Sequence, residues 1–391
     1  MPPRLRFVVD ENIPLAREAL APLGEVTALP SGRLRPETVR DADILWTRST
    51  ISVGASLLEG SRVRMVATAT IGTDHLDIDW LTSRGITWAS APGSNAPSVR
   101  LWWAAALCTL AERRQLTLGR LRVGIVGVGQ VGRRIEALAR ALGCEVLRCD
   151  PPRAQVEGPQ GFASLSELCE TCDIITIHVP LTREGPDATY HLFDAARLAT
   201  LRPGTILVNA SRGQVIDTPA LLAAQKARDL TVVLDVYEGE PAVPPAVIQA
   251  AVLATPHIAG HSLDGKVAGT KMIYDATCAH LGIRPQWNPE RSLPPLPVRV
   301  LTLDTRDLPE ERADEAVVLK VVRRFYRIED DDQAMRDLVR LDDGARGAAF
   351  SRYRSNYPVH REPLGLELEL VPPRPRAAAA LATLGVKLVE R

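Results

Sequence analysis

The stretch LRVGIVGVGQVGRRIEALARALGCEVLRCD, residues 121–150, decides the fold of this chain. Its apolar run Val123–Val126 predicts a buried parallel strand. The turn that follows carries three glycines in G-x-G-x-x-G spacing, namely Gly127, Gly129 and Gly132. Apolar residues then recur at helical period as far as Gly143, and a second short strand, Val146–Cys149, leads to Asp150. This order of strand, glycine turn, helix and strand predicts a βαβ unit.

Each glycine of this turn has a physical task in binding a dinucleotide. The first allows a tight turn, the second lets the backbone approach a pyrophosphate, and the third lets the helix pack close to the strand. Gln130 and Val131 lie in the same turn, where the helix N-terminus offers N–H groups to phosphate oxygens. Asp150 can accept hydrogen bonds from a ribose diol and would repel a 2′-phosphate. The sequence therefore predicts NAD, not NADP, as the cofactor.

Composition sets bounds on the class of protein. The chain has 391 residues, 46% of them apolar, with 47 basic and 47 acidic residues. This balance gives no electrostatic argument for binding nucleic acid or an anionic membrane. We see no signal-peptide pattern or membrane-span pattern, and the six scattered cysteines favour a reducing cytoplasm. The C-x-x-C pair Cys169 and Cys172 lacks a second pair or a histidine cluster, so we predict no metal site.

Short apolar runs alternate with helical patterns over residues 5–90 and again over residues 117–259, which predicts parallel sheets covered by helices. We predict an α/β fold of two Rossmann-like doubly wound lobes with a C-terminal α/β dimerisation domain. The predicted bounds are residues 1–94 with 261–284 for a substrate-binding lid domain, 95–260 for the NAD-binding domain and 285–391 for the dimerisation domain.

Three polar residues lie just beyond predicted strands of the nucleotide lobe. Arg212 lies in NASRGQVID, Glu240 in DVYEGEP and His257 in TPHIAGH. Oxidation of a 2-hydroxy acid needs a base for the hydroxyl proton, and a histidine suits that task near neutral pH. A neighbouring carboxylate fixes its tautomer and raises its basicity. A guanidinium can bind the substrate carboxylate and polarise the forming carbonyl.

Each of these residues also has a structural alternative. A histidine after a proline commonly packs within a loop, an arginine after a strand forms surface ion pairs, and Glu240 can cap the next helix. Their shared place on the lobe that carries the glycine motif favours the catalytic interpretation.

The order of the glycine motif, NASRG, DVYEGEP and PHIAG resembles the D-isomer-specific 2-hydroxyacid dehydrogenase superfamily over residues 5–282. The resemblance implies that Arg212, Glu240 and His257 form the catalytic set. Further segments are similar to a branch that oxidises 4-phospho-D-erythronate in pyridoxal 5′-phosphate biosynthesis and forms homodimers through its C-terminal domain. They are VVDENIP (8–14), TATIGTDHLD (68–77), APGSNA (91–96), CDPPRA (149–154), HIAGHSLDGK (257–266) and RSNYPVHRE (354–362).

The resemblance also implies contacts to the ligands. The residues expected to contact NAD beyond the glycine turn are Asp150, Val179, Ala210, Ser211, Arg212, Asp235 and Gly260. Those expected to contact the substrate are Ser49, Thr70 and His261. We add Gly72 and Thr73, whose N–H groups could bind the substrate carboxylate, and Arg48 for its phosphate. Arg354 is a second arginine considered for the phosphate.

Three features depart from the pattern of that branch. His261 stands where a substrate-binding tyrosine is expected, Val179 where a threonine is expected, and Val99–Trp103 replaces a small, acidic and aromatic pattern. Two alternatives therefore stay open. One is an NAD-dependent dehydrogenase of another 2-hydroxy acid, such as 3-phosphoglycerate, and the other is a non-catalytic NAD-sensing protein.

Overall fold

A computed structural model describes residues 4–389. The chain divides into two units, each formed by two separated segments. The first unit comprises Met1–Asn95 and Ser262–Pro295, and the second comprises Ala96–His261 and Leu296–Arg391. The predicted functional roles of the three domains are not decided by this division and stay predictions.

The strands and helices follow one another in the alternation that the sequence predicts. The strands are β1 Leu5–Asp10, β2 Gly24–Leu29, β3 Ile44–Thr47, β4 Met65–Thr68, β5 Thr87–Ala89, β6 Arg122–Val126, β7 Glu145–Cys149, β8 Ile174–Ile177, β9 Ile206–Asn209, β10 Thr231–Leu234, β11 Ala251–Ala254, β12 Val300–Asp304, β13 Glu367–Val371 and β14 Lys387–Leu388. The α-helices are α1 Ala16–Leu20, α2 Pro36–Val39, α3 Ala55–Leu58, α4 Ile78–Ser83, α5 Ala96–Arg114, α6 Gly132–Ala141, α7 Pro151–Glu157, α8 Leu165–Thr171, α9 Ala195–Leu198, α10 Thr218–Arg228, α11 Pro245–Ala250, α12 Leu263–His280, α13 Ala313–Val322, α14 Ile328–Leu338, α15 Asp343–Ser355 and α16 Pro375–Thr383.

The first unit is built on a parallel sheet with the strand order β2-β1-β3-β4-β5. Its central strands are apolar and buried on both faces, as expected where helices cover a parallel sheet. Helix α12 returns from later in the chain to pack on one face, where Ile273 and Cys278 join the core. The indole Nε1 of Trp46 donates to Thr277 Oγ1 of this helix at 3.0 Å.

The second unit holds a six-stranded parallel sheet with the order β11-β10-β9-β8-β6-β7 and a three-stranded parallel sheet with the order β12-β13-β14. Helix α5 is buried on its whole circumference over residues 101–111, which fits the almost wholly apolar sequence of that stretch. Helix α13 packs against α5, and helix α16 packs against α6. The C-terminal region therefore shares a hydrophobic core with the nucleotide lobe, to which Val317, Val321 and Leu381 contribute.

Among residues 4–389, no helix combines the length and apolar character needed to cross a membrane.

Candidate functional site

The glycine turn between β6 and α6 has the geometry that its spacing predicts. Gly127 has a φ of +85°, and a Cβ there would lie 2.7 Å from the carbonyl oxygen of His178. A Cβ on Gly132 would lie 2.1 Å from the carbonyl oxygen of Gly127. By contrast, a Cβ on Gly129 would meet nothing within 4 Å. The first and third glycines are thus required by the protein's own packing, and the second faces open space that a pyrophosphate can use.

Asp150 connects the end of β7 to this turn. Its Oδ2 accepts the N–H of Val128 at 2.8 Å, and its Oδ1 accepts the N–H of Arg153 at 3.1 Å, which caps α7. Each carboxylate oxygen keeps a further lone pair for a ribose hydroxyl. The turn and this carboxylate together fit the adenosine diphosphate part of NAD.

The other residues predicted at the cofactor lie around the same sheet edge. Gln130 is exposed, and its Oε1 accepts from Arg134 at 3.0 Å. Val131 is half-buried immediately before α6. Val179 lies beside the glycine turn, since its Cγ1 is 2.8 Å from the place of a Cβ on Gly127. Gly260 follows the loop that carries His257.

The turn Ala210–Arg212 after β9 is held by the side chain of Asn209. Its Oδ1 accepts from both the N–H and the hydroxyl of Ser211, at 3.0 and 2.8 Å, and its Nδ2 donates to the carbonyl of Arg212 at 2.9 Å. A Cβ on Gly213 would lie 1.9 Å from the carbonyl carbon of Tyr237. The N-x-x-RG pattern therefore fits a turn that packs directly on the backbone preceding Glu240.

The catalytic residues predicted from the sequence lie on loops after three adjacent strands, β9, β10 and β11. His257 Nδ1 lies 2.8 Å from Glu240 Oε2, and their side chains are 34% and 20% exposed. Arg212 is half-buried, and its Nη1 donates to Ser211 O at 2.9 Å. The structure thus brings the histidine and the glutamate into direct contact and places the arginine on the neighbouring loop.

Glu240 is held as a carboxylate. Burial by itself would raise its pKa, but the hydrogen bond and charge of His257, the N–H of Tyr237 and the charge of Arg354 together lower that pKa below its ordinary value. The N–H of Tyr237 donates to Glu240 Oε1 at 2.8 Å. A carboxylate facing Nδ1 selects the tautomer of His257 that carries its proton there, which leaves Nε2 able to accept a proton.

The loop around His257 is held in an unusual conformation. His257 has a φ of +55°, in the left-handed region that non-glycine residues rarely adopt. The buried carboxylate of Asp235 accepts from Thr255 Oγ1 at 2.6 Å, Ile258 N at 2.8 Å and Ala259 N at 3.0 Å. Burial is the main cause of the raised pKa of Asp235. Asp235 thus fixes the loop that carries His257. Its predicted contact with NAD stays a prediction.

The residues predicted at the substrate divide between the two units. In the first unit, Thr70 Oγ1 lies 2.7 Å from Thr68 Oγ1, which in turn lies 3.0 Å from His75 Nε2. Thr70 Oγ1 also donates to Gly72 O at 3.3 Å. Burial lowers the pKa of His75, although Asp74 opposes this effect. His75 therefore acts as a neutral hydrogen-bonding partner for the threonine pair.

The remaining substrate candidates occupy loops or neighbouring turns. Arg48 and Ser49 directly follow β3, and the carbonyl of Thr73 accepts the N–H of Leu76 at 2.8 Å in the loop after β4. His261 belongs to the second unit, where its ring meets that of Tyr357 edge-to-face at 5.6 Å.

Sequence reasoning missed three features of the site. The first is the contact of Thr68 with His75, and the second is Asp10, whose buried carboxylate links three loops. An acidic residue at the end of an apolar strand was an available signal for Asp10. The third is Arg354, considered only for a phosphate, whose Nε donates to the carbonyl of His257 at 3.3 Å. No local pattern indicates that contact, because 97 positions separate the two residues.

Residues 10–100 match the family model described as the catalytic domain of D-isomer-specific 2-hydroxyacid dehydrogenases, and residues 102–259 match the NAD-binding domain of the same family. The chain therefore belongs to the D-isomer-specific 2-hydroxyacid dehydrogenase family, and it is an NAD-dependent dehydrogenase.

Relatives within this family narrow the comparison. The chain is 45% identical to an erythronate-4-phosphate dehydrogenase of Azotobacter vinelandii, over 98% of this chain and 100% of the relative. It is also 45% identical to the enzyme of that name from Ectopseudomonas mendocina, over 97% of this chain and 99% of the relative.

Solved structures show the shared fold. A D-lactate dehydrogenase from Aquifex aeolicus, in complex with NAD and lactic acid, matches with a TM-score of 0.59 and 23% identity. The match covers 71% of this chain and 95% of that chain. A protein from Thermus thermophilus matches with a TM-score of 0.60 and 26% identity, over 72% of this chain and 98% of that chain. The prediction of an α/β fold with Rossmann-like lobes is confirmed.

Proposed function

We propose that this protein oxidises 4-phospho-D-erythronate to 2-oxo-3-hydroxy-4-phosphobutanoate, a step of pyridoxal 5′-phosphate biosynthesis. The observation that carries the proposal is the 2.8 Å contact of His257 Nδ1 with Glu240, on a chain that matches erythronate-4-phosphate dehydrogenases over nearly its whole length. A protein that only senses NAD has no need of this acid–base pair.

The chemistry follows from the positions of the side chains. His257 Nε2 accepts the proton of the C2 hydroxyl, and the carboxylate of Glu240 stabilises the imidazolium that forms. Arg212 binds the substrate carboxylate and stabilises charge on the forming carbonyl oxygen. NAD, when bound, would supply the acceptor for the hydride that leaves C2. In the reverse direction, the imidazolium returns its proton to the carbonyl oxygen.

The substrate-binding residues remain part of the proposal. In the first unit, the loops after β3 and β4 carry Ser49, Thr70, Gly72 and Thr73, whose hydroxyl and N–H groups suit an anionic, hydroxylated substrate. Arg48 supplies a cation for the phosphate. His261 supplies a second imidazole in place of the expected tyrosine.

The assembly and location are proposed with the function. We infer a homodimer formed through the C-terminal domain, on the resemblance to relatives of the same length. We also infer a cytoplasmic enzyme, since the six cysteines are all free and buried.

Turnover with NAD and 4-phosphoerythronate tests the function, with a 2-oxo acid supplied to reoxidise bound NADH. 3-Phosphoglycerate and unphosphorylated erythronate serve as comparison substrates. We expect turnover that needs both the phosphate and the four-carbon chain. The His257→Ala variant should lose about 10²- to 10⁴-fold in kcat while still binding NAD, because it lacks the base.

Two results would contradict the proposal. Activity on 3-phosphoglycerate or another 2-hydroxy acid alone would keep the chemistry, reassign the substrate and point to His261 as the reason. Undiminished turnover by His257→Ala would remove the histidine from the mechanism.

A further inference from the structure

The C-terminal region makes direct contact with the chain segment that joins the two partners of the acid–base pair. This segment, residues 240–257, begins at Glu240 and ends at His257. Helices α14 and α15 bond to its backbone at five points. Arg346 Nη1 donates to Val243 O at 3.3 Å, Arg336 donates to Ile248 O and, at 2.6 Å, to Ala251 O, Asp332 Oδ1 accepts from Ala254 N at 2.8 Å, and Arg354 Nε donates to His257 O at 3.3 Å.

Apolar packing supports the same contact beside Glu240. The ring of Phe350, fully buried on α15, meets the ring of Tyr237 edge-to-face with 6.5 Å between centroids. A Cβ on Gly347 would lie 3.6 Å from Pro241 Cγ, so α15 passes close to the residue that follows Glu240. A side chain much larger than a methyl group at position 347 would press on residues 240–257.

The C-terminal segment is itself anchored by a buried carboxylate. Asp331 accepts from the hydroxyls of Tyr326 at 2.9 Å, Tyr353 at 2.7 Å and Tyr357 at 2.8 Å. Tyr357 also packs against the ring of His261. These bonds join the start of α14 to the end of α15 and to the chain beyond it. The two helices whose side chains contact residues 240–257 are therefore held to each other.

The contact of Arg354 falls on the residue whose backbone is strained. A left-handed conformation at a non-glycine residue is unfavourable and persists only where neighbouring groups fix it. Asp235 holds the residues on both sides of His257, and Arg354 holds the carbonyl of His257 itself. Glu240 bonds to the His257 ring, and the charge of Asp235 also interacts with it, whereas Arg354 bonds to the His257 carbonyl and lowers the pKa of Glu240.

We propose that the C-terminal segment 328–357 is a positioning element of the active site within its own chain, with Arg354 as the residue that sets the backbone of His257. This inference rests on the proposed role of His257 in proton transfer and gives the C-terminal region a task besides assembly. Both family models end before this segment, at residues 100 and 259, so the shared catalytic domains do not supply it.

A series of substitutions separates this role from phosphate binding. Arg354→Met removes both charge and hydrogen bond, Arg354→Gln keeps an N–H donor without charge, and Arg354→Lys keeps the charge without the guanidinium Nε–H. The matched control is Arg352→Gln, an exposed position on the same helix.

If Arg354 positions His257, Arg354→Met should lower kcat about tenfold with little change in KM, since a displaced base loses reactive geometry. Arg354→Gln should regain part of kcat, and Arg354→Lys should regain less. The opposite order, with KM raised for the phosphorylated substrate only, would overturn the proposal in favour of phosphate binding.

Amide hydrogen exchange of residues 255–261 provides a readout that does not depend on activity. We expect faster exchange in Arg354→Met, and no change in Arg352→Gln. Unchanged exchange together with unchanged kcat would overturn the positioning role. A wild-type protein inactive on every 2-hydroxy acid, but with faster exchange in Arg354→Met, would keep the positioning role and reject the proposed function.

Discussion

Asp10 in the first unit and Asp235 in the second occupy corresponding places, at the carboxyl end of the strand next to an edge of a parallel sheet. Both carboxylates are buried, with 0% and 1% exposure. Asp10 Oδ1 accepts from the N–H and the Nδ2 of Asn12, and its Oδ2 accepts from the hydroxyls of Ser31 and Thr50. Asp10 therefore ties together the loops after three strands, β1, β2 and β3.

The bonding partners of Asp235 are of a different kind. One oxygen accepts a backbone N–H and the hydroxyl of Thr255, and the other accepts a backbone N–H alone. All its partners lie on the single loop that carries His257. Hydroxyl groups can rotate and either donate or accept, whereas a backbone N–H can only donate. We infer that Asp10 holds the loops of the first unit largely through side-chain donors that can rotate, and that Asp235 holds its loop largely through fixed backbone N–H groups.

The comparison yields a rule for amide substitution. Substitution by asparagine should be tolerated at a buried aspartate that faces hydroxyls, because the NH₂ group of asparagine can donate to them. The same substitution should destabilise the protein where both carboxylate oxygens accept backbone N–H groups, because the NH₂ group then meets another donor. Three substitutions test this rule, taken from the largest expected effect on stability to the smallest.

Asp331→Asn extends the rule to a third carboxylate, which faces three tyrosine hydroxyls. Burial raises the pKa of Asp331 to about 6, although those hydroxyls oppose it. Because the pKa of Asp331 is higher in the folded than in the unfolded chain, the fold favours the protonated carboxyl. Its contribution to the free energy of unfolding is complete below about pH 4 and is lost as the pH rises through about 6. We expect the free energy of unfolding of Asp331→Asn not to fall over this pH range, and to exceed that of the wild type by up to about 3 kcal/mol at pH 8.

Urea unfolding between pH 4 and pH 8 measures this difference. The control is Asp330→Asn, at the exposed neighbouring position, which should keep the wild-type pH dependence. If the free energy of unfolding changes with pH equally in Asp331→Asn and the wild type, Asp331 has the same pKa in the folded and the unfolded chain.

Asp235→Asn should be the most harmful substitution of the three for activity. Its NH₂ group must face the N–H of either Ile258 or Ala259, which leaves a buried donor without an acceptor. We expect a loss of about 2 kcal/mol in the free energy of unfolding and a fall of about tenfold or more in kcat, since His257 lies in this loop. Thermal unfolding and steady-state kinetics measure both, and a wild-type kcat would contradict the fixed-loop interpretation.

Asp10→Asn should have the smallest effect. Its carbonyl oxygen can still accept from Asn12, while its NH₂ group donates to the hydroxyls of Ser31 and Thr50. We expect the free energy of unfolding to change by less than about 1 kcal/mol and KM for the substrate by less than about threefold. The same assays apply as for Asp235→Asn, and a loss equal to the one seen there would refute the distinction between the two units.

Much of the fold is predictable from local patterns. The two strands predicted for the βαβ unit, Val123–Val126 and Val146–Cys149, lie within β6 and β7. Helix α16 is less evident, because the alanine-rich run 377–380 follows three prolines between residues 372 and 375 and carries the same small residue on its buried and its exposed face. A helix with the same residue type on both faces lacks the amphipathic signal on which such predictions depend.

The sequence by itself determined the βαβ unit, the acceptor at Asp150 and the order of Arg212, Glu240 and His257 beyond successive strands. Glycine sterics and strand periodicity are local properties, so they can be seen in the order of residues. Only the tertiary structure decided that His257 faces Glu240, that Asp235 holds its loop and that Arg354 reaches its carbonyl. Those contacts join residues far apart in sequence, and hydrogen bonds depend on distances and directions that no linear spacing contains.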